Sequence, residues 1–169
     1  MRRNSAKQVA FGGVLASLAV VFMGVGGLIP VATYVSPMLC MLILHLVCMT
    51  CGRRIGWAWY GVVAILSSLL SADKEAAAVF VFLGYYPIIK PKLDKLRFGM
   101  VWKLLLFNTA MAVMYWLLLT VFGMTELLAE YREMGTALLV LTLVLGNVTF
   151  LLLDRILSRK FKRKNRGGA

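Results

Sequence analysis

The chain alternates between long apolar runs and short polar stretches. The apolar runs lie at about residues 9–29, 38–51, 55–72, 76–89, 100–124 and 134–157. Because about 20 helical residues cross the hydrocarbon core of a bilayer, this pattern predicts an all-α integral membrane protein, a bundle of about six transmembrane helices. The second and fourth runs are shorter than that. We expect their helices to extend into the flanking segments, to be enclosed by other helices, or to lie where the bilayer is thin.

The segments between the runs are predicted to be loops. The stretch from Pro30 to Pro37 is uncharged and bracketed by prolines, which predicts a short outer loop or a re-entrant stretch. Residues 90–97 are too polar to span a membrane and predict a cytoplasmic loop or an interfacial helix. Residues 158–169 are predicted to be a basic cytoplasmic tail, and the whole chain, 1–169, to be a single transmembrane helical domain.

The distribution of charge predicts the orientation of the bundle. With both termini in the cytoplasm, all of the 19 basic residues except Lys74 and Arg132 lie on the inner side. The acidic residues show the opposite bias, and the outer side holds Asp73, Glu75, Glu126, Glu130 and Glu133. Cytoplasmic loops of membrane proteins carry an excess of lysine and arginine. Another number of spans would move the later loops across the membrane, so the charges favour six spans in a multi-pass protein of the cell membrane.

Composition agrees with a membrane protein. Hydrophobic residues make up 61% of the chain and charged residues only 15%, whereas soluble domains are about half apolar and a quarter charged. The net charge of +12 also raises the possibility of nucleic-acid binding. The basic residues lie at the ends of the apolar runs, however, where they face lipid headgroups. We therefore predict the lipid bilayer as a partner and no nucleic acid.

Motifs for catalysis and for metal binding are missing from the sequence. It contains no nucleophile elbow, no HExxH and no glycine-rich phosphate loop, which predicts a protein that is not an enzyme and uses no cofactor. Cys48 and Cys51 have a CxxC spacing, but no second such pair follows and the chain has one histidine. A four-ligand zinc site is therefore not expected. Together with Cys40, these cysteines are interpreted as small apolar residues of a helix.

Polar side chains at membrane depth are costly and need a reason. His45, Asn108 and Asn147 lie within apolar runs and either bridge helices or contact a polar substrate. Tyr115 and Trp116, deep in the fifth run, suit stacking against a ring, and Tyr34 in the outer loop suits closure of the site. The predicted substrate site consists of Tyr34, His45, Asn108, Tyr115, Trp116 and Asn147. Other aromatic residues are interpreted as anchors at the cytoplasmic interface, namely Trp57, Trp59, Tyr60, Tyr85 and Tyr86.

Small residues recur at four-residue spacing along the first helix, as Ala6 and Ala10 and as Gly12 and Ala16. Such spacing allows another helix to approach closely. The contact is either internal packing or docking of a partner protein.

These features together resemble the substrate-binding S components of energy-coupling factor transporters. The resemblance lies in the size, the six runs, the cytoplasmic ends and the small-residue first helix. Ala6 and Ala10, or Gly12 and Ala16, correspond to the family's AxxxA-type motif, which docks on a coupling transmembrane subunit. The stretch from Pro30 to Pro37 resembles the family's first outer loop, which helps to cover the substrate.

The resemblance implies capture of a small nutrient, such as a vitamin, from outside the cell. The protein would topple within the membrane when docked and release the nutrient inside, while separate ATP-binding subunits hydrolyse ATP. Two alternatives stay open from sequence. One is a non-catalytic membrane scaffold that assembles with other proteins. The other is a small exporter that works as a homodimer.

Overall fold

The described residues are mostly helical, with short turns between the helices. The computed structural model describes residues 2–26, 32–120 and 136–166, in which no strand occurs. The helices are α1 (Arg2–Gly26), α2 (Ala32–Thr50), α3 (Arg53–Leu70), α4 (Lys74–Leu83), α5 (Tyr86–Leu93), α6 (Gly99–Thr120) and α7 (Thr136–Arg166). This confirms the prediction of an all-α chain.

Within the described ranges, three helical stretches are long and apolar enough to cross a membrane. They are Ala6–Val25, Lys74–Leu93 and Gly99–Thr120. The length and composition of these stretches support a membrane protein. The count of six spans and the cytoplasmic position of the termini stay predictions. Some residues that the orientation depends on, Glu126, Glu130, Arg132 and Glu133, lie outside the described residues.

The chain divides into two compact units, Met1–Gly99 and Met100–Ala169, and the prediction of one domain stays a prediction. In the first unit, α2 runs antiparallel to α1. The thiol of Cys40 donates a hydrogen bond to the carbonyl of Ala19 at 3.5 Å. Toward the other end of both helices, the thiol of Cys51 donates to the carbonyl of Gln8 at 3.4 Å. Thiol-to-carbonyl contacts thus join the two helices at the middle of α2 and just after its end.

The third helix runs parallel to α1. Near the beginning of both helices, a Cβ added to Gly12 would lie 3.8 Å from Cγ2 of Ile55. Near their ends, the hydroxyl of Ser71 donates to the carbonyl of Met23 at 3.1 Å. The turn from α2 into α3 is tight because Gly52 adopts a φ of 91°, in the left-handed region that glycine enters without steric cost.

The fourth helix returns antiparallel to α3. It begins at Asp73, whose carboxylate accepts a hydrogen bond from the Ala76 amide at 3.0 Å and so caps the helix. Farther along, the hydroxyl of Tyr60 donates to the carbonyl of Val81. Gly84 and Tyr85 keep helical backbone angles, so α5 continues in the direction of α4. The first unit is therefore an up-and-down arrangement of helices.

The short second run lies within a longer helix, and the short fourth run lies within a longer helical stretch formed by α4 and α5 together. Helix α2 starts at Ala32, six residues before the predicted start, and the fourth run belongs to the apolar stretch Lys74–Leu93. Extension into the flanking segments, one of the three expected solutions, is thus confirmed. Of the two alternatives for residues 90–97, the loop is wrong for residues 90–93, which are helical. An interfacial position stays a prediction.

The prediction of a loop between Pro30 and Pro37 is wrong for residues 32–37, which belong to α2 and contain Pro37 inside the helix. Proline removes one backbone hydrogen bond. Apolar helices tolerate the loss because neighbouring helices, local adjustments and side chains satisfy the freed carbonyl. Tyr34 therefore lies on a helix. Residues 27–31 lie outside the described residues.

In the second unit, α6 and α7 pack against each other in antiparallel orientation. The rings of Phe107 and Phe150 stack with centroids 4.7 Å apart, and a Cβ added to Gly146 would lie 3.7 Å from the ring of Phe107. Helix α7 continues as far as Arg166, so most of the predicted basic tail has a helical backbone.

Candidate functional site

Several polar side chains are buried inside the apolar first unit. They include His45 on α2, Trp59 and Ser67 on α3, and Lys90 on α5. Helix α5 packs against both α2 and α3. Burying a polar group costs free energy unless it gains a hydrogen-bond partner. Each of these residues therefore needs a hydrogen-bond partner in the interior, in addition to packing contacts.

The stretch of α2 that contains His45 packs closely against α3. A Cβ added to Gly56 would collide with Sγ of Cys48 and would lie 3.8 Å from Cδ1 of Leu44. His45 lies between these two residues of α2 in the sequence. Trp59 follows Gly56 by about one helical turn. His45 and Trp59 therefore lie at similar levels of two helices in contact.

Trp59 carries a buried donor that the described part of the chain leaves unpaired. Its side chain is 4% exposed, and its Nε1 has no hydrogen-bond partner among the described residues. An indole N–H is only a donor, so it requires an acceptor. This donor fits a carbonyl, carboxylate or ring-nitrogen atom of a small molecule, or a water molecule.

A second buried polar atom lies about two turns farther along the same face of α3. The hydroxyl of Ser67 has no partner within the described ranges. Its neighbour Ser68 behaves differently and donates to the carbonyl of Ala64 at 2.8 Å, which is the usual bond of a helical serine. Val63, fully buried, lies between Trp59 and Ser67 on this face. The face thus presents two polar positions separated by an apolar one.

Lys90 is buried completely, which is rare for lysine unless it is paired. Its Nζ lies 3.4 Å from Oδ2 of Asp94, one turn later on the chain. Sequence reasoning placed Lys90 in a polar loop or an interfacial helix and therefore missed its burial. The signal that could have found it is the apolar run that leads into it without interruption from residue 76.

The interpretation of the aromatic residues as interfacial anchors is wrong for Trp59 and Tyr86, which are buried. Trp57 is 46% exposed, as an anchor requires. Positions 57 and 59 differ by about 200° around a helix, so only one of the two tryptophans faces the interior. The ring of Tyr60 contacts the ring of Tyr85 at a centroid distance of 6.1 Å.

The predicted substrate residues of the first unit are Tyr34 and His45, which lie at different levels of α2. The hydroxyl of Tyr34 donates to Oε1 of Glu75 at 2.8 Å, beside the beginning of α4. At about 1.5 Å rise per residue, Tyr34 is about 16 Å from His45 along the helix axis. Tyr34 therefore lies near the beginning of α2, where it contacts Glu75, and His45 is buried farther along the same helix.

The predicted substrate residues of the second unit include an amide pair. Nδ2 of Asn108 donates to Oδ1 of Asn147 at 3.0 Å, and Nδ2 of Asn147 donates back at 3.2 Å. Each amide also donates to the carbonyl four residues earlier in its own helix. These bonds match the helix-bridging alternative, and contact with a substrate stays a prediction. Tyr115 is half-buried, and Trp116 is 63% exposed.

Sequence reasoning missed an ion pair in the second unit. Nζ of Lys103 lies 3.2 and 3.1 Å from the two carboxylate oxygens of Asp154, and the side chains are 8% and 13% exposed. The signal that could have found it is opposite charge near the matching ends of the fifth and sixth runs.

The small residues of α1 divide into an internal and an exposed set. Gly12 is buried and faces Ile55, and Ala16 is half-buried. Ala6 and Ala10 are exposed. Internal packing accordingly uses Gly12, while docking of a partner at Ala6 and Ala10 stays a prediction.

Comparison with known proteins adds no relative to this picture. The chain matches no protein-family model, no curated protein and no solved structure. Any assignment of function therefore rests on its sequence and its geometry.

Proposed function

We propose that the protein is a membrane subunit that captures a small nutrient and is energised by separate ATP-binding partners. The observation that carries this proposal is the buried indole of Trp59, whose N–H has no partner among the described residues. Small-molecule sites are mostly apolar and contain a few placed polar groups. An apolar helical unit that holds this donor beside the stretch of α2 with His45, and the buried hydroxyl of Ser67 farther along α3, matches this description.

Two further features support the proposal. Ala6 and Ala10 form an exposed small-residue pair on α1, which suits close docking of a helix from a coupling transmembrane subunit. The sequence has no phosphate-binding loop of its own, so the proposal assigns ATP hydrolysis to partner subunits. A multi-pass location in the cell membrane, with both termini in the cytoplasm, is part of the same proposal.

The first test is recovery of the partners. A tagged chain, gently solubilised from its native host, is expected to retain a coupling membrane subunit and ATP-binding subunits, identified by mass spectrometry. Ala6→Leu with Ala10→Leu is expected to lower their recovery at least about tenfold, because the larger side chains prevent close approach of helices. Val14→Leu, at an exposed position of the same helix, is the control.

Retention of other membrane proteins without ATP-binding subunits would favour the scaffold. A homodimer that moves a small molecule across vesicles without ATP-binding subunits would favour the exporter. Either result, obtained under conditions in which a known S component keeps its partners, contradicts the proposal.

The second test concerns the ligand. Small molecules released from the purified protein by denaturation are identified by mass spectrometry, and their affinity is measured by titration. Trp59→Phe is expected to weaken binding about twofold to tenfold, because one hydrogen bond contributes about 0.5–1.5 kcal/mol. Trp57→Phe, on the opposite face of α3, is expected to leave the affinity unchanged. Equal affinities for the two variants would exclude Trp59 from the site.

A further inference from the structure

One end of the first unit is strongly basic. Lys7, Arg53 and Arg54 are exposed there. Their proximity follows from hydrogen bonds between the beginning of α1 and the end of α2. The carbonyl of Gln8, next to Lys7, accepts from Cys51, and Nε2 of Gln8 donates to the carbonyl of Thr50 at 3.4 Å.

The end of α5 adds more basic residues to this end. Helix α4 returns antiparallel to α3 and α5 continues its direction, so the chain after α5 arrives on the side on which α3 begins. Lys92, Lys95 and Arg97 are exposed there. The acidic residue of this segment, Asp94, already pairs with the buried Lys90 at 3.4 Å. Its charge is therefore offset within α5.

The opposite end of the unit has a different charge balance. There Asp73 caps α4, and Glu75 accepts a hydrogen bond from Tyr34. Lys74 donates to the carbonyl of Ser68 at 3.1 Å. Acidic and basic residues thus occur together at this end, whereas exposed basic residues accumulate at the other.

Apolar side chains interrupt the basic ones in the turn after α5. Leu96 and Phe98 are exposed and alternate with Lys95 and Arg97. In water, exposed leucine and phenylalanine would be unfavourable. At a bilayer interface such side chains enter the acyl region while neighbouring cations reach the headgroups. The alternation therefore points to a lipid surface rather than to a soluble acidic partner.

We propose that the basic surface of the first unit binds anionic phospholipid headgroups of the cytoplasmic leaflet. This basic surface consists of Lys7, Arg53, Arg54, Lys92, Lys95 and Arg97. Basic residues near an anionic membrane surface each contribute about 1 kcal/mol, which corresponds to about a fivefold change in binding. The surface selects for net negative headgroup charge, and it holds the first unit at a fixed depth. This role rests on the membrane orientation in the proposed function, and it is independent of nutrient capture.

Trp57 gives a local probe of the lipids beside this surface. It is exposed and lies one turn after Arg53 on α3. The full chain with Trp59→Phe, Trp102→Phe and Trp116→Phe retains it as the single tryptophan. This variant is reconstituted in phosphatidylcholine vesicles that contain either brominated phosphatidylglycerol or brominated phosphatidylcholine at equal mole fraction. Brominated phosphatidylglycerol is expected to quench Trp57 with an apparent affinity at least about fivefold higher at low salt.

Charge variants test whether the preference for phosphatidylglycerol depends on the positive charge of the basic surface or on its shape. Arg53→Gln with Arg54→Gln is expected to lower the preference, and the further changes Lys92→Gln, Lys95→Gln and Arg97→Gln are expected to abolish it. Arg53→Lys with Arg54→Lys is expected to keep it. Lys74→Gln, at the opposite end, is the control and should change nothing. One molar salt should reduce the preference, because it screens exposed charges beyond about 3 Å.

A second measurement needs no tryptophan substitution. The wild-type chain is purified from vesicles with equal amounts of the two lipids, and the retained lipids are counted by native mass spectrometry. Enrichment of phosphatidylglycerol that the glutamine variant loses supports the proposal. Equal quenching by the two brominated lipids, or a preference that survives the glutamine substitutions together with Lys92→Gln, Lys95→Gln and Arg97→Gln, overturns it.

Discussion

Replacing Lys103 with methionine is expected to lower the free energy of unfolding of the second unit by about 3–5 kcal/mol. Nζ of Lys103 contacts both carboxylate oxygens of Asp154, and both side chains are nearly buried. Removing the ammonium leaves the carboxylate buried without its counter-charge. Such a loss costs more than the intact pair contributes, because the charge was already taken out of water.

Unfolding of the full chain in detergent is followed by titration with sodium dodecyl sulfate, and the tryptophan fluorescence reports the midpoint. Exchange of the two charges in Lys103→Asp with Asp154→Lys is expected to recover more than half of the loss. Lys92→Met removes an exposed cation and is expected to change stability by less than about 0.5 kcal/mol. An unaltered midpoint for the Lys103→Met variant, or an exchange variant as unstable as the single ones, would show that the pair does not hold α6 against α7.

Leucine at Gly56 is expected to destabilise the first unit by about 1–3 kcal/mol through overpacking. A Cβ at this position would already collide with Sγ of Cys48. Any larger side chain must push α2 away from α3 or force the thiol and its neighbours into other rotamers. Because His45 lies on the same stretch of α2, the displacement would also disturb the proposed substrate site.

Gly61 supplies a matched control on the same helix. A Cβ at Gly61 would meet nothing within 4 Å, so Gly61→Leu is expected to leave the midpoint of the detergent titration unchanged or slightly raised. Cys48→Ala is expected to rescue the smaller substitution Gly56→Ala, since it removes the sulfur atom that the new Cβ would meet. Equal midpoints for the leucine variants at positions 56 and 61 would contradict close packing at Gly56.

The helices themselves were largely predictable from the sequence. A long apolar run that enters a membrane must satisfy its own backbone hydrogen bonds there, and an α-helix does so within the run. The errors fall at the boundaries. Pro37 was taken as the edge of a loop, yet it lies inside α2. Lys90 was assigned to a loop or an interfacial helix because residues 90–97 are polar, yet it is a buried residue of α5. In both cases packing against other helices stabilises a helix at a residue whose type alone predicts a helix boundary.

The candidate site was predictable only in part. His45 was identified as a polar residue at depth, and the structure buries it. Trp59 was assigned to the interface together with Trp57. Helical geometry places residues 57 and 59 on nearly opposite faces, but it does not say which face another helix covers. That choice depends on the contacts of α3 with α1, α2 and α4.

The sequence by itself determined the helical character of the chain, the approximate position of each helix and the unequal distribution of charge, because runs of apolar residues and their flanking charges are local properties. Only the tertiary structure decided which polar groups meet. Lys103 and Asp154 are 51 residues apart in the sequence, and Asn108 and Asn147 are 39 apart. Their pairing depends on the register of two antiparallel helices. That register is fixed by the shapes of the packed side chains and not by composition.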